Sequence, residues 1–251
     1  AEAITLLPAL LESIWNSVRF PKSMHWGSLK QAFVRPVHWL LPLFGEEVVP
    51  LEFAGAKSSN HTFGHRFMGQ KGPLEVKDAK DYSRTMEENY VVFSPERRKE
   101  KIREDSAGLA ASLGLDLIED EALLNEVVHL VENPVVATGG FGEKYLVMPQ
   151  EVLITSMAYH QKFFAFRKGE KLANRFLVVN NTQAMDMNLV VRGNERVLAA
   201  RLEDALFFFN EDRKKELESF VDDLSGQTFL AGLGSVKDKA GRVSRLRGRL
   251  A

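Results

Sequence analysis

The chain has 251 residues, with 33 Lys+Arg against 34 Asp+Glu and no cysteine. At ~100–200 residues per domain this is one large domain or two small ones, long enough to bury a sizeable core. The balanced charge gives no global attraction for nucleic acid or an anionic membrane, and the missing thiols exclude disulfides, thiol catalysis and Cys-ligated zinc or iron–sulfur clusters.

No apolar run approaches the ~20 residues that span a bilayer, and no signal peptide is visible. The chain starts at Ala1 rather than Met, so it reads as a piece of something longer. Residues 4–18 carry Leu7, Leu10, Leu11, Ile14, Trp15 and Val18 near helical spacing, and Phe20-Pro21 closes that helix. Phe33–Val37, Trp39–Phe44 and Glu47–Phe53 read as short strands, with a tight turn at Gly45-Glu46. Residues 54–72 are rich in glycine and polar side chains and read as loop. Ser94-Pro95-Glu96 starts a helix with Ile102, Leu109, Ala110 and Leu113 on one face, ending near Gly114. A second helix turns Leu123, Leu124, Val127, Val128 and Val131 inward and stops at Asn133-Pro134. Val135–Ala137, Phe163–Phe166 and Phe176–Val179 read as strands, with a helix from Pro149 between the first two. Leu198, Leu202, Ala205, Leu206 and Phe209 mark a long amphipathic helix, and helical patterns continue to the end. The expected layout is an N-terminal helix over 1–18, a mixed α/β body over 19–185 and a helical part over 186–251.

Motifs for small-molecule chemistry are weak. Gly139-Gly140-Phe141-Gly142 is not a P-loop or dinucleotide fingerprint and reads as a loop after a strand. His61 and His65 lack a third ligand nearby in sequence, and His25, His38, His129 and His160 are scattered, so no metal site is expected. There is no Gly-x-Ser-x-Gly elbow. The aromatic-rich segments, Phe20 to Phe53 and Phe207–Phe209, have the spacing of core residues. Charge runs say more. Residues 116–126 hold five acids and no base, whereas 237–250 hold Lys237, Lys239, Arg242, Arg245, Arg247 and Arg249 against Asp238 alone. Such a basic stripe is either a solvated face or a contact for RNA phosphates.

Several runs then resemble the beta subunit of the bacterial heterotetrameric glycyl-tRNA synthetase. They are Phe20-Pro21-Lys22-Ser23-Met24-His25-Trp26-Gly27, Phe33-Val34-Arg35-Pro36-Val37-His38-Trp39, Val48–Gly55, Gly64-His65-Arg66-Phe67, Met148–Leu153, His160–Phe164, Gly193-Asn194-Glu195-Arg196-Val197-Leu198 through Phe207–Phe209, and Leu233-Gly234-Ser235 with Asp238-Lys239 and Arg242. His25 and Ala158 stand where the family often has a basic residue. The resemblance implies a central part of that subunit, without its N-terminal segment, His-Asp-like helical domain or anticodon-binding domain.

It further implies an α+β body similar to the B3/B4 domain of the phenylalanyl-tRNA synthetase beta subunit. In this family the alpha subunit carries the active site and uses ATP and Mg, and the beta subunit binds tRNA. The implied role is therefore a non-catalytic part of a cytoplasmic ligase, with no cofactor of its own. Its implied partners are the alpha subunit, tRNA(Gly) and the rest of the beta subunit, not a membrane. Lys22, Arg35, Arg66, Lys162, Arg192 and Arg196 are the basic residues within the matching motifs, and Arg242, Arg245 and Arg249 share a face of the last helix. These nine are the candidate phosphate contacts. The alternatives are a docking module without RNA contact and an editing deacylase. Against editing, no amino acid is smaller than glycine, so a tight pocket rejects competitors by overlap alone, and missing methylenes (worth only ~1–3 kcal/mol) never need a second sieve.

Overall fold

The computed structural model describes residues 3–250, and the side chain of Leu250 is outside the description. Helix α1 (Ala3–Ser17) leads into an irregular stretch held by one isolated bridge, Met24 to Phe33. Three hairpins of two-residue strands follow: β1 (Leu43–Phe44) with β2 (Glu47–Val48), β3 (Glu52–Phe53) with β4 (Ala56–Lys57), and β5 (His61–Thr62) with β6 (Leu74–Glu75). The turn at Gly45-Glu46 forms as read, with Gly45 at φ 62°. The longer strands do not. Pro36, Pro42 and Pro50 interrupt the apolar runs and lack a ladder donor, so Phe33–Val37 is not a strand, Trp39–Phe44 keeps only Leu43–Phe44, and Glu47–Phe53 divides between two hairpins. Here Phe33, Trp26 and Trp15 pack on Leu40, Phe53, Ala54 and Ala56 as a small separate core.

The main body is a four-stranded antiparallel sheet between two helical layers. After α2 (Tyr82–Glu88), helix α3 (Pro95–Leu113) begins as expected, with Ser94 Oγ accepting from Arg97 N at 3.2 Å, and ends on left-handed Gly114 at φ 61°. Then come β7 (Asp116–Leu117), α4 (Glu121–Val128), β8 (Val135–Gly140), α5 (Gln150–Thr155) continuing through one π-helical turn over Ser156–Gln161, β9 (Phe164–Lys168) and β10 (Lys171–Asn180). The sheet order is β7-β9-β10-β8.

Period-2 alternation assigns the side chains to layers. Phe164, Phe166 and Leu177 face α3 and α4, where Ile102, Ala110, Leu124 and Val127 bury them. Phe163, Ala165, Phe176 and Val178 face the other way, onto Leu153, Met157 and the long helix α6 (Met187–Asp212) through Leu198 and Leu202. That double burial is why Phe163–Phe166 is an unbroken apolar run. On α3 the inward residues are Ile102, Ser106 and Ala110, at four-residue spacing. Leu113, expected inside, is exposed, and the polar Ser106 takes an inward position.

Beyond α6 the chain forms short 3₁₀ turns, a hairpin of β11 (Thr228–Leu230) with β12 (Gly234–Ser235), and helix α7 (Val236–Leu250). No described residue from 213 onward is fully buried.

Candidate nucleic-acid interface

The motif residues divide into those that build the body and those that project from it. His65 belongs to the first group. It is buried, and its Nδ1 accepts from the backbone N–H groups of Phe67 and Met68, both at 3.2 Å. Two donors on Nδ1 require the proton on Nε2, which donates to Asn181 O at 2.8 Å. Asn181 Oδ1 in turn accepts from Glu132 N at 2.6 Å and Asn133 N at 3.1 Å. The Gly64–Phe67 motif is thus a clasp between the hairpin region and the sheet. Gly64 is required there because a Cβ would lie 2.5 Å from the Asn89 Cβ. Arg66 alone of this motif's polar side chains is exposed.

Helix α6 repeats the pattern. Its cap is Asp186, whose Oδ1 accepts from Asn188 N at 2.9 Å and Leu189 N at 3.2 Å. Asn194 therefore lies inside the helix, not at its start. Glu195 reaches the sheet and accepts from Gly140 N at 2.7 Å, while Gly139 leaves room for the Phe176 ring. Gly139-Gly140 is consequently the end of an edge strand and not a loop. About two turns on, Glu203 accepts from Lys144 Nζ at 2.7 Å and Tyr145 Oη at 2.8 Å. Lys144, then Tyr145, hold the Glu203 carboxyl below the usual carboxylate range. Glu203 raises Lys144, and burial followed by Glu203 raises Tyr145. Two of the three acids beside the helix arginines, Glu195 and Glu203, are thereby occupied, and Arg196 and Arg201 are exposed without an ion pair to these or to Asp204. Glu195 was missed from sequence because its partner lies 55 residues away.

The nine candidate cations differ in what they already hold. Lys22, Arg66, Arg196, Arg245 and Arg249 are exposed and have no acidic partner among the described residues. Arg35 is exposed and donates only to the neighbouring Val34 O, at 2.7 Å. Lys162 follows the π-helical turn in a left-handed conformation (φ 58°), pairs with Glu126 at 2.8 Å and lies over the Tyr159 ring. Arg192 is 3.9 Å from Asp186, and Arg242 donates to Leu233 O at 2.8 Å. The sites lie on separate elements, from the N-terminal irregular stretch to α7.

The last motif is a helix start. Ser235 Oγ accepts from Asp238 N at 3.2 Å, and Asp238 Oδ2 accepts from Ser235 N at 2.8 Å, a reciprocal capping box. The backbone bond from Ser235, then its hydroxyl, lower the Asp238 carboxyl. The aromatics expected in the core divide as well. Phe209 packs on the α6 side of the core, but Phe207, Phe208 and Trp39 are exposed.

The whole chain, residues 1–251, matches the family described as "Glycyl-tRNA synthetase beta subunit". It is 45% identical over 245 residues to the glycine–tRNA ligase beta subunit of Moorella thermoacetica, covering 97% of this chain and 35% of that protein. Identity is 43% over 247 residues to the corresponding protein of Geobacter sulfurreducens and 41% over 245 residues to that of Clostridioides difficile, each covering 98% of this chain and 36% of the relative. The chain thus spans about a third of the length of the curated relatives it matches.

Proposed function

The chain belongs to the glycyl-tRNA synthetase beta-subunit family, and we propose that it is a tRNA-positioning part of a glycine–tRNA ligase with no active site of its own. The observation that carries this reading is the set of five exposed basic side chains, Lys22, Arg66, Arg196, Arg245 and Arg249, left without acidic partners on a chain of net charge −1. Their distribution over several elements suits a backbone-tracking surface, because phosphates are contacted along a strand and not at one point. Arg35 joins them, and Arg242 contributes through its place on the α7 face. Lys162 and Arg192 play the smaller part, since each must first leave Glu126 or Asp186.

On this reading the ligase works in the cytoplasm as a heterotetramer, and the alpha subunit binds glycine, ATP and Mg. The sheet body over 19–185 corresponds to a B3/B4-like module, 1–18 leads into it, and 186–251 leads toward further beta-subunit domains. Its partners are the alpha subunit, tRNA(Gly) and the remainder of the beta subunit. The test is binding of labelled tRNA(Gly) by fluorescence anisotropy over a salt series, with an unrelated tRNA alongside. Binding that weakens linearly on a log–log salt plot supports the reading. A folded chain that binds no tRNA at low salt removes it. Deacylation of mischarged alanyl- or seryl-tRNA(Gly), rising with protein concentration, would contradict the non-catalytic assignment.

A second reading has its own observation. Phe207 and Phe208 on α6, with Leu217 and Leu246 beyond it, project apolar surface that nothing described covers. In that case the C-terminal part docks protein rather than RNA, and alanine at Arg245 and Arg249 leaves tRNA binding unchanged.

A further inference from the structure

The four-stranded sheet has two edges, and the chain treats them differently. At the β8 edge, Glu195 of α6 takes the outward N–H of Gly140. Among the described residues the β7 edge has no such cover: β7 pairs there with β9 alone, through Asp116 opposite Arg167 and Leu117 opposite Phe166, and Ile118 N donates to Ala165 O at 2.9 Å. Bonded and non-bonded pairs alternate along an antiparallel ladder, so Leu117 turns its N–H and C=O away from β9.

Beside this edge lies a cleft of about 1000 Å³ between α3 and β7. Ile102, Ala110, Leu124 and Phe164 give it apolar walls. Ser106 also lines it, 2% exposed, with a buried Oγ that has no hydrogen-bond partner. Buried hydroxyls are nearly always paired, so an unpaired one on a cleft wall marks a place where something else supplies the bond. The rim carries both signs, with acids in excess. Glu121 is bonded to Arg103 at 2.7 Å and Asp120 caps Leu123 N at 2.9 Å, while Asp116, Glu119 and the cation Arg167, opposite Asp116, are exposed and form no ion pair among the described residues.

We propose that the open β7 edge and its cleft dock an extended peptide segment of a partner protein, with small apolar side chains flanked by Lys or Arg. The main chain of the segment meets the donor and acceptor of Leu117, as in strand addition to an exposed edge. Its small side chains enter the cleft, one of its polar groups satisfies Ser106, and its cations face Asp116 and Glu119. Acids outnumber arginines on this rim, which disfavours phosphate there, and none of the nine candidate tRNA contacts lines the cleft, so the two surfaces are separate.

The test pans a phage-displayed library of short random peptides against the full chain and measures the selected peptides by fluorescence anisotropy. Binders enriched in alternating small apolar and basic residues are expected. Leu117→Pro removes an N–H that the ladder does not use, and it should abolish their binding. Ser106→Ala should weaken it by about 2- to 10-fold, the worth of one hydrogen bond, while the melting temperature of the free chain holds or rises. If Leu117→Pro does not fold, the Asp116→Lys, Glu119→Lys double variant replaces it and should likewise lose the basic peptides. A library that yields no binder, binders indifferent to these substitutions in a folded chain, or an RNA oligonucleotide whose binding depends on Leu117 would each overturn the proposal.

Discussion

At Gly139 a single methyl group decides how two layers meet. A Cβ there would lie 2.5 Å from the Phe176 ring and 3.1 Å from Glu195 Cγ. Gly139→Ala is therefore expected to destabilise the chain by about 1–3 kcal/mol through overpacking, read as a lower urea midpoint. Glu203 sets a pH dependence. Its carboxyl is depressed in the folded chain, so its contribution is present above the unfolded carboxylate range and is lost as pH falls through the folded value. Stability should thus decline as pH falls below the ordinary carboxylate range, and Glu203→Gln should make that decline shallower in thermal melts across pH. Sequence legibility at this scale follows distance along the chain. The Ser94 cap and the Gly114 stop involve close neighbours and were readable. The His65 clasp and the Glu195 bond join residues 116 and 55 apart, and no local pattern announces them.

Elements were legible where burial was two-sided or periodic. Phe176–Val179 falls within β10, and Phe163–Phe166 overlaps β9 from Phe164 onward, because their apolar runs are short and bounded. The N-terminal strands failed because strand-forming residues were interrupted by prolines, leaving two-residue hairpins around an aromatic core. The π-helical turn over Ser156–Gln161 was invisible, since the residue types that form it also form an α-helix. Helix α7 begins on its Ser235–Asp238 box, so Ser235→Ala should cost about 0.5–2 kcal/mol of local stability, measured as faster amide exchange over 235–240. Farther along α7, Arg245 and Arg249 are exposed on one face. Replacing both by alanine should lower the salt slope of tRNA binding by about two units, whereas Lys162→Ala, already paired with Glu126, should leave it nearly unchanged.

The whole molecule is a three-layer body with a small aromatic core before it and a lightly packed helical extension after it. The candidate cations were chosen from the sequence by motif and charge. Which of them stand free follows only from the fold, because tertiary contacts tie Glu126 to Lys162 and draw Glu195 and Glu203 away from Arg196. Among the described residues no helix is long and apolar enough to cross a membrane. The central claim is that free arginines on separate elements hold one RNA backbone together. It is tested most directly by the salt slope of tRNA(Gly) binding for the chain and for its Arg66, Arg196, Arg245, Arg249 quadruple alanine variant. The account predicts a slope shallower by about four units in the variant, with its circular dichroism unchanged. An equal slope in a folded variant would contradict it.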